Sequence, residues 1–455
     1  MPLVSVNPAT GEHLETHEED SDEVLTRKLD AAGETARGWG PLAPAERAAQ
    51  LLPVARLLRA RRADYARLMA LEMGKPITQG LAESDKCATA CEHLVRHGAG
   101  WLAPETVDTE ASYSAVHYEP LGTVLAIMPW NFPFWQVIRC AASALLAGNS
   151  VVLKHASNVT GCARALGALF RDAGLPEGLF QVLYTDSRRV VRLIEHPAVS
   201  AVSLTGSVAA GREVAASAGR ALKKTVLELG GSDPYVILED ADVPAAARIA
   251  AQSRLLNSGQ SCIAAKRLIV VSQVRDAFEG EFLAALQAAR LGDPLDPATE
   301  IGPLARRDLR DELHLQVQRT IAQGARCALG GRLPPGPGAY YPPTALLDVR
   351  PGMTAFDEET FGPVAPITVA RDEDEAITLA NASNFGLGAA VFTRDLAHGR
   401  ALAATAFRAG SCFVNALVRS DARLPFGGIQ DSGYGRELSA LGLREFTNIK
   451  TVYVA

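Results

Sequence analysis

A chain of 455 residues is too long for one small core, so two or three domains are expected. Its 48% hydrophobic and 21% charged content is that of an ordinary globular protein, and a formal net charge of -6 argues against the basic face a nucleic-acid partner needs. Seven cysteines without regular spacing favour a reducing compartment over a disulfide framework. With no basic, apolar leader in "MPLVSVNPATGE" and no apolar run of spanning length, a cytoplasmic location without membrane contact is the expectation.

The first candidate cluster is a helical stretch carrying Cys87, Cys91, His93 and His97. At about 100° per residue the cysteine pair and the histidine pair fall on nearly opposite faces, so no metal site is expected there or elsewhere. From "GTVLAIM" onward, short Val/Ile/Leu runs alternate with helix-period segments. "SVVLK", "FQVLY" and "VSAVSLTG" are each followed by such a segment, which describes a parallel sheet covered on both faces. A second series starts near "PYVILED" and includes "AAVFT" and "GSCFVN", so two doubly wound α/β domains are expected, with ligands at the carboxyl ends of their strands.

Motifs fall at those strand ends. In "PWNFPFW" the prolines forbid helix and fix a loop that can aim the Asn131 amide as an oxyanion donor, while its aromatics, Trp130 among them, read as packing. "VLKHAS" ends an apolar strand with Lys154, either a ribose-binding amine or a solvated strand end. Gly206 and Ser207 in "SLTGSVAAG" open a helix whose free N–H groups suit an anion, or form a plain βα turn. Glu228 in "LELGGSDP" is flanked by leucines; desolvation would raise its pKa and suit it to base work, and a structural salt bridge is the alternative. Cys262 in "NSGQSCIAAKR" follows hydroxyl-rich turns and precedes a basic, helix-like segment. Alone it would be a buried, inert cysteine, but a thiol, a desolvated glutamate and a rigid amide together are the parts needed to attack a carbonyl.

In order, "VNPATGE", "PWNFPFW", "LTGS", "LELGG", "GQSC", "EETFGPV", "PFGGIQDSGYGRE" and "FTNIKTV" resemble the aldehyde dehydrogenase superfamily over nearly the whole chain. The resemblance implies a cofactor-binding domain (1–106 and 122–229), a catalytic domain (230–430) and a small β oligomerisation arm (107–121 and 431–455) that pairs subunits into a homodimer or homotetramer. It implies Cys262 as nucleophile, Glu228 as general base, and Asn131 with the Cys262 backbone N–H as oxyanion donors. Trp130, Lys154, Ser157, Gly206, Ser207, Glu359 and Phe361 fall where the family holds its nicotinamide cofactor. Ser157 stands where NAD-selective members carry a glutamate, and with positive charge beside it NADP is expected, with NAD also accepted.

The subfamily resemblance is to short bacterial succinate-semialdehyde dehydrogenases, on "NFPFWQVIR", "LKHASNVTG" and "SDARLPFGG". Arg139 and Ser420 fall where that subfamily grips a substrate carboxylate, although an internal carboxylate is the alternative partner for Arg139. Two positions depart from the pattern: Leu256 replaces a further arginine of some members, and Ala264 replaces a second cysteine used as a redox switch.

Overall fold

The computed structural model describes residues 2–455. Six strands form one sheet in the spatial order Gly433–Tyr434, Lys224–Glu228, Val199–Thr205, Thr123–Met128, Ser150–His155, Phe180–Val182, all parallel except the first. Seven form a second sheet in the order Arg326–Leu329, Thr344–Leu347, Val364–Ala370, Ala265–Val271, Asp233–Ile237, Gly388–Phe392, Ser411–Val414, again parallel apart from its first strand. The inner strands of both are almost wholly buried, as apolar runs without polar alternation require. The two doubly wound α/β sheets are those the sequence implies.

Helix Trp135–Leu146 is buried on every side, which its nearly continuous apolar sequence permits. Its start is fixed from a distance. The backbone N–H groups of Phe134 and Trp135 both donate to Glu83 Oε1 at 2.9 Å, and the second oxygen of Glu83 is ion-paired with Lys75. A carboxylate at a helix N-terminus satisfies otherwise orphaned donors and meets the positive end of the helix dipole. Glu83 lies on helix Ile77–Trp101, so that helix sets the position of the loop carrying Asn131.

A third sheet pairs Tyr113–Pro120 with Glu105–Thr106 and with Thr447–Val454, the latter in antiparallel register from Thr447 opposite Pro120 to Val454 opposite Tyr113. Residues 431–446 differ from the expectation that they belong to this arm. Gly433–Tyr434 pairs with Glu228 and Leu227 in the six-stranded sheet, and the buried Leu443 of helix Ser439–Arg444 joins the main core. A buried apolar residue there is better satisfied on that core than on a thin arm.

The segment after Cys262 also departs from the helix-like reading. Ala265–Val271 is a fully buried central strand. The β-branched run "LIVV" and pairing on both edges outweigh the helix propensity of "AAKR". The two buried cations find local partners: Lys266 ion-pairs with Glu359, and Arg267 donates to the carbonyls of Ser232, Leu379 and Ala380. Cys87 and Cys91 are buried in the core while His93, His97 and Trp101 form a ring cluster along the same helix, so the four side chains do not converge.

Candidate active site

The parallel strands deliver their carboxyl ends to one region. Thr123–Met128 leads into the Asn131 loop, Ser150–His155 ends at Lys154 and His155, Val199–Thr205 runs into Gly206, and Lys224–Glu228 ends on Glu228 itself. Cys262 arrives from the second sheet, just ahead of its central strand.

The backbone before Cys262 is strained. Asn257, Ser258 and Gly259 are consecutive left-handed residues, with φ of 55°, 57° and 76°. Asparagine tolerates this region, serine less so, and the strain persists only because the surroundings over-determine it. Asn257 Nδ2 donates to Asn131 O at 2.7 Å and to Gln260 O at 3.1 Å, and its backbone N–H donates to Gln79 Oε1 at 2.7 Å. Ser258 is tied to Gly302 through both its hydroxyl and the Gly302 N–H. At Gly259 any Cβ would collide with the Gly362 carbonyl, so glycine is obligatory there.

Asn131 is held by the same network. Its Nδ2 donates to Gln260 O at 3.1 Å, and its Oδ1 accepts from Gln136 Nε2 at 3.0 Å. That orientation leaves the second amide proton without a partner among the described residues.

Glu228 is fully buried and its carboxylate lies beside the Cys262 thiol, close enough for each to act on the other's charge. Burial pushes both groups up: Glu228 above the usual carboxyl range, and Cys262 well above the usual thiol value, with the neighbouring Glu228 charge adding to the latter. The resting thiol therefore keeps its proton, and the group placed to take it is a carboxylate whose own proton affinity has been raised. Oε1 of Glu228 has no partner among the described residues.

Arg139 corrects an expectation. Its guanidinium is not free for a ligand: Nη2 lies 2.6 Å from Glu437 Oε2 and 3.5 Å from Glu228 Oε2, and donates to Thr205 Oγ1 at 3.4 Å. Burial works against its charge, but Glu437 and then Glu228 hold it ionised, and it stacks 5.0 Å over the Phe426 ring. The physical reason is the cost of an unpaired buried charge, met here by two internal carboxylates. Glu437 is pushed up to about 7 by burial against the pull of Arg139. It was not anticipated, although it lies in "GYGRE", and the same holds for Thr205, Lys266 and Lys86.

Ser420 is buried and accepts a hydrogen bond at 2.7 Å from Lys86 Nζ. Of the two departures, Leu256 is partly exposed beside the strained turn, and Ala264 is buried.

The remaining candidates line two neighbouring places. Glu359 pairs with Lys266 at 2.8 Å and accepts from Gly231 N at 3.1 Å, while Lys266 also donates to the Cys262 carbonyl at 2.6 Å. Phe361 meets Trp130 edge to face at 5.7 Å, bringing the two domains' loops together. Lys154 is buried with no ion pair among the described residues, and burial lowers its proton affinity. Ser157 is exposed, and beside it both polar atoms of the buried Asn158 amide lack partners. Ser207 caps its helix, accepting from Ala210 N at 3.3 Å, and the Gly206 N–H donates to Glu228 O at 3.0 Å. His155 adds no positive charge: Nδ1 accepts from Ala156 N, Nε2 faces Pro133 O, and burial lowers its pKa to about 4. Lys154 is thus the one cation of that pair.

A half-buried thiol beside a buried carboxylate, an oriented amide and a polar cradle at the carboxyl ends of a parallel sheet define a carbonyl-oxidising enzyme of the thiol-dependent kind. Residues 2–452 match the aldehyde dehydrogenase family, and the chain belongs to it. It is 48% identical to a succinate semialdehyde dehydrogenase [NAD(P)+] of Escherichia coli strain K12, over 99% of this chain and 97% of that protein. It is 47% identical to a probable succinate-semialdehyde dehydrogenase [NADP(+)] of Synechocystis, with both chains fully covered. The fold superposes on a succinic semialdehyde dehydrogenase from Streptococcus pyogenes, solved with NADP+, at a TM-score of 0.97 and 36% identity, covering 99% of each chain.

Proposed function

We propose that this protein oxidises succinic semialdehyde to succinate, with NADP or NAD as hydride acceptor. Cys262 is the nucleophile, Glu228 the general base, and Asn131 with the Cys262 backbone N–H the oxyanion donors. The observation that carries the reading is the buried Glu228 carboxylate beside the Cys262 thiol, together with an amide locked by Gln136 and Gln260.

The residues fit a dinucleotide. An unpaired buried Lys154, an exposed Ser157, an unsatisfied Asn158 amide and a serine-capped helix start offer ribose and phosphate partners at adjacent strand ends. Trp130, Gly206, Glu359 and Phe361 complete the proposed set. Ser157 brings no carboxylate to repel a 2′-phosphate, and Lys154 adds positive charge, so NADP is accommodated.

In the reaction, Glu228 takes the thiol proton and the sulfur of Cys262 bonds to the aldehyde carbon, leaving a thiohemiacetal oxygen that Asn131 Nδ2 and the Cys262 N–H stabilise. When bound, the nicotinamide accepts the hydride from that carbon. A thioester remains on Cys262. Glu228 passes the thiol proton to solvent and then removes a proton from water. The resulting hydroxide adds to the thioester carbon, the carbon–sulfur bond breaks, and succinate leaves as the Cys262 sulfur takes the proton back from Glu228.

The names of the relatives support the substrate, and the presence of a hydrolytic base opposes transfer to coenzyme A. Absorbance of reduced nicotinamide across an aldehyde panel, with either dinucleotide and with or without coenzyme A, tests the reading. Succinic semialdehyde is expected to give the highest kcat/KM without coenzyme A. Strict dependence on coenzyme A, or a preference for uncharged aldehydes, would overturn it.

The arm supports a homodimer or homotetramer. Val107, Ile449, Tyr453 and Val454 leave apolar surface exposed on a thin three-stranded sheet, which light scattering on the purified protein would show to be an interface. No described helix is long and apolar enough to cross a membrane, and all seven cysteines are free, in keeping with a cytoplasmic location.

A further inference from the structure

The strand Ala265–Val271 enters its sheet with an irregularity. Asp233 lies opposite Ala265 and Pro234 opposite Arg267, so Lys266 is an extra residue with no counterpart on the strand Asp233–Ile237. Pro234 has no N–H to offer the ladder there, and a bulge of this kind re-aims the side chain that it carries. Lys266 is fully buried, and its ammonium meets two partners. It donates to the carbonyl oxygen of Cys262 at 2.6 Å and pairs with Glu359 Oε1 at 2.8 Å, with the Phe361 ring 5.7 Å away. One buried cation thus holds the peptide of the nucleophile and a side chain of the proposed dinucleotide set.

The loop after Glu228 closes the same cluster. Glu359 Oε1 also accepts from Gly231 N at 3.1 Å. A Cβ at Gly231 would collide with the Cys262 carbonyl oxygen, and one at Gly230 with Glu359 Oε2. The ammonium therefore sits where three loops converge: the one leaving the base, the one carrying the thiol and the one carrying Phe361. For stability alone an apolar side chain would serve as well, since a buried ion pair seldom adds net stability. Oε1 of Glu359 is committed inward to Lys266 and Gly231, while the side chain stays partly exposed and leaves Oε2 for a ribose hydroxyl. The sulfur also feels the ammonium. Burial and then the Glu228 charge push the Cys262 thiol well up, and the strongest opposing pull is that of Lys266, ahead of Arg139. The other charged groups facing this pair are Asp233 beside Lys266 and Glu437 behind Arg139.

We propose that Lys266 is a positioning residue acting in two directions from one ammonium: it holds the Cys262 peptide, and with it the sulfur, in place for attack, and it fixes Glu359 for the dinucleotide. The second arm rests on the cofactor reading above, and the first does not.

The test uses Lys266→Met, Lys266→Arg, Glu359→Gln and the double variant of Lys266→Met with Glu359→Gln, all without aldehyde. Alkylation by iodoacetamide, mapped to Cys262 by mass spectrometry and followed against pH, reads the first arm. Calorimetric titration with NADP reads the second. Lys266→Met is expected to slow alkylation about tenfold at a pH of about 8, the loss that a rise of about one unit in thiol proton affinity brings. Lys266→Arg keeps the charge and should stay within about threefold of wild type, or about half a pH unit. Glu359→Gln leaves the ammonium in place and should not slow alkylation. Equal slowing in Lys266→Met and Glu359→Gln, or none in either, would overturn the first arm, because a merely structural cluster would loosen alike from both ends. For the second arm, Glu359→Gln and Lys266→Met should each weaken NADP binding, and the double variant should bind no worse than the weaker of the two. Additive losses would overturn it. If Glu359→Gln binds NADP as wild type does, the placement of Glu359 in the cofactor site fails, while the alkylation result for Lys266 stands. Should Lys266→Met fail to fold, Glu359→Gln decides: weakened NADP binding with unslowed alkylation is expected, and slowed alkylation would overturn the proposal.

Discussion

Replacing Arg139 by methionine, close to it in length but uncharged, should strike the chemical step and not the recognition of a charged substrate. The change leaves Glu228 and Glu437 buried with no cation between them. At an effective dielectric constant of about 20, unit charges 3.5 Å apart attract by about 5 kcal/mol, an upper limit for what Glu228 loses. Glu437 is already pushed up to about 7, so it takes up a proton when Arg139 goes and absorbs part of that loss. A further rise in the Glu228 pKa, smaller than that limit would give, is the net expectation. Glu228 would then hold its proton to higher pH and be less able to take the thiol proton or to activate water. The acid limb of the kcat profile should move upward by at least about one pH unit, and kcat at pH 7 should fall about tenfold or more for succinic semialdehyde and butanal alike. Steady-state rates of nicotinamide reduction from about pH 5.5 to 9 measure this on both substrates. A rise in KM confined to succinic semialdehyde, with the kcat profile unmoved, would refute the reasoning and return Arg139 to the substrate carboxylate.

Glu228→Gln should slow hydrolysis of the thioester more than its formation, so a pre-steady-state burst of reduced nicotinamide persists while turnover falls; a vanished burst in a folded variant would remove Glu228 from the deacylation step. Ser157→Glu should shift the kcat/KM preference from NADP toward NAD, because a carboxylate beside the ribose repels a 2′-phosphate; wild-type protein without NADP turnover would contradict this reading of Ser157. Asp233 is buried, with Oδ1 accepting from Gly388 N and Oδ2 unpartnered, and burial raises its pKa from 3.8 to about 7. Its stability contribution is therefore present below pH 3.8 and is lost as pH rises through about 7, by up to about 1.4 kcal/mol per unit. Asp233→Asn should accordingly raise Tm relative to wild type at pH 8 more than at pH 5, and an equal effect at both would show that this carboxyl is ionised throughout.

The alternation of strand and helix, and the placement of Asn131, Glu228 and Cys262 near strand ends, are visible in the sequence because each depends on local pattern. Uninterrupted apolar runs have to be covered on both faces, and prolines on either side of Asn131 have to form a loop. Pairings across hundreds of positions leave no such trace. Arg139 meets Glu437 through an antiparallel return of the chain after residue 430, and no periodicity in either segment announces the contact. The segment after Cys262 misleads for a related reason: Ala264 to Arg267 are good helix formers, and only the tertiary pairing of Ala265–Val271 on both edges makes them strand. Lys86 did carry a local signal, a cation on the buried stripe of an amphipathic helix, but nothing in that helix says that Ser420 lies opposite.

The raised proton affinity of Cys262 gives this network its logic. A surface cysteine with a depressed pKa is a standing nucleophile, open to oxidation whenever it is exposed. Here burial and the adjacent Glu228 hold the sulfur as a thiol, so reactivity depends on moving one proton off it. On the proposed mechanism the same carboxylate later takes a proton from water, and both steps ask for an affinity above that of a solvated glutamate. Burial raises it, Arg139 restrains the rise, and Glu437 shares the cation and sets how far the restraint reaches. Removing the Glu437 charge leaves Arg139 wholly to Glu228, lowers the affinity of that base, and weakens it for both proton transfers. The carboxylate farther from the sulfur is therefore a positioning residue for the proton, acting through Arg139.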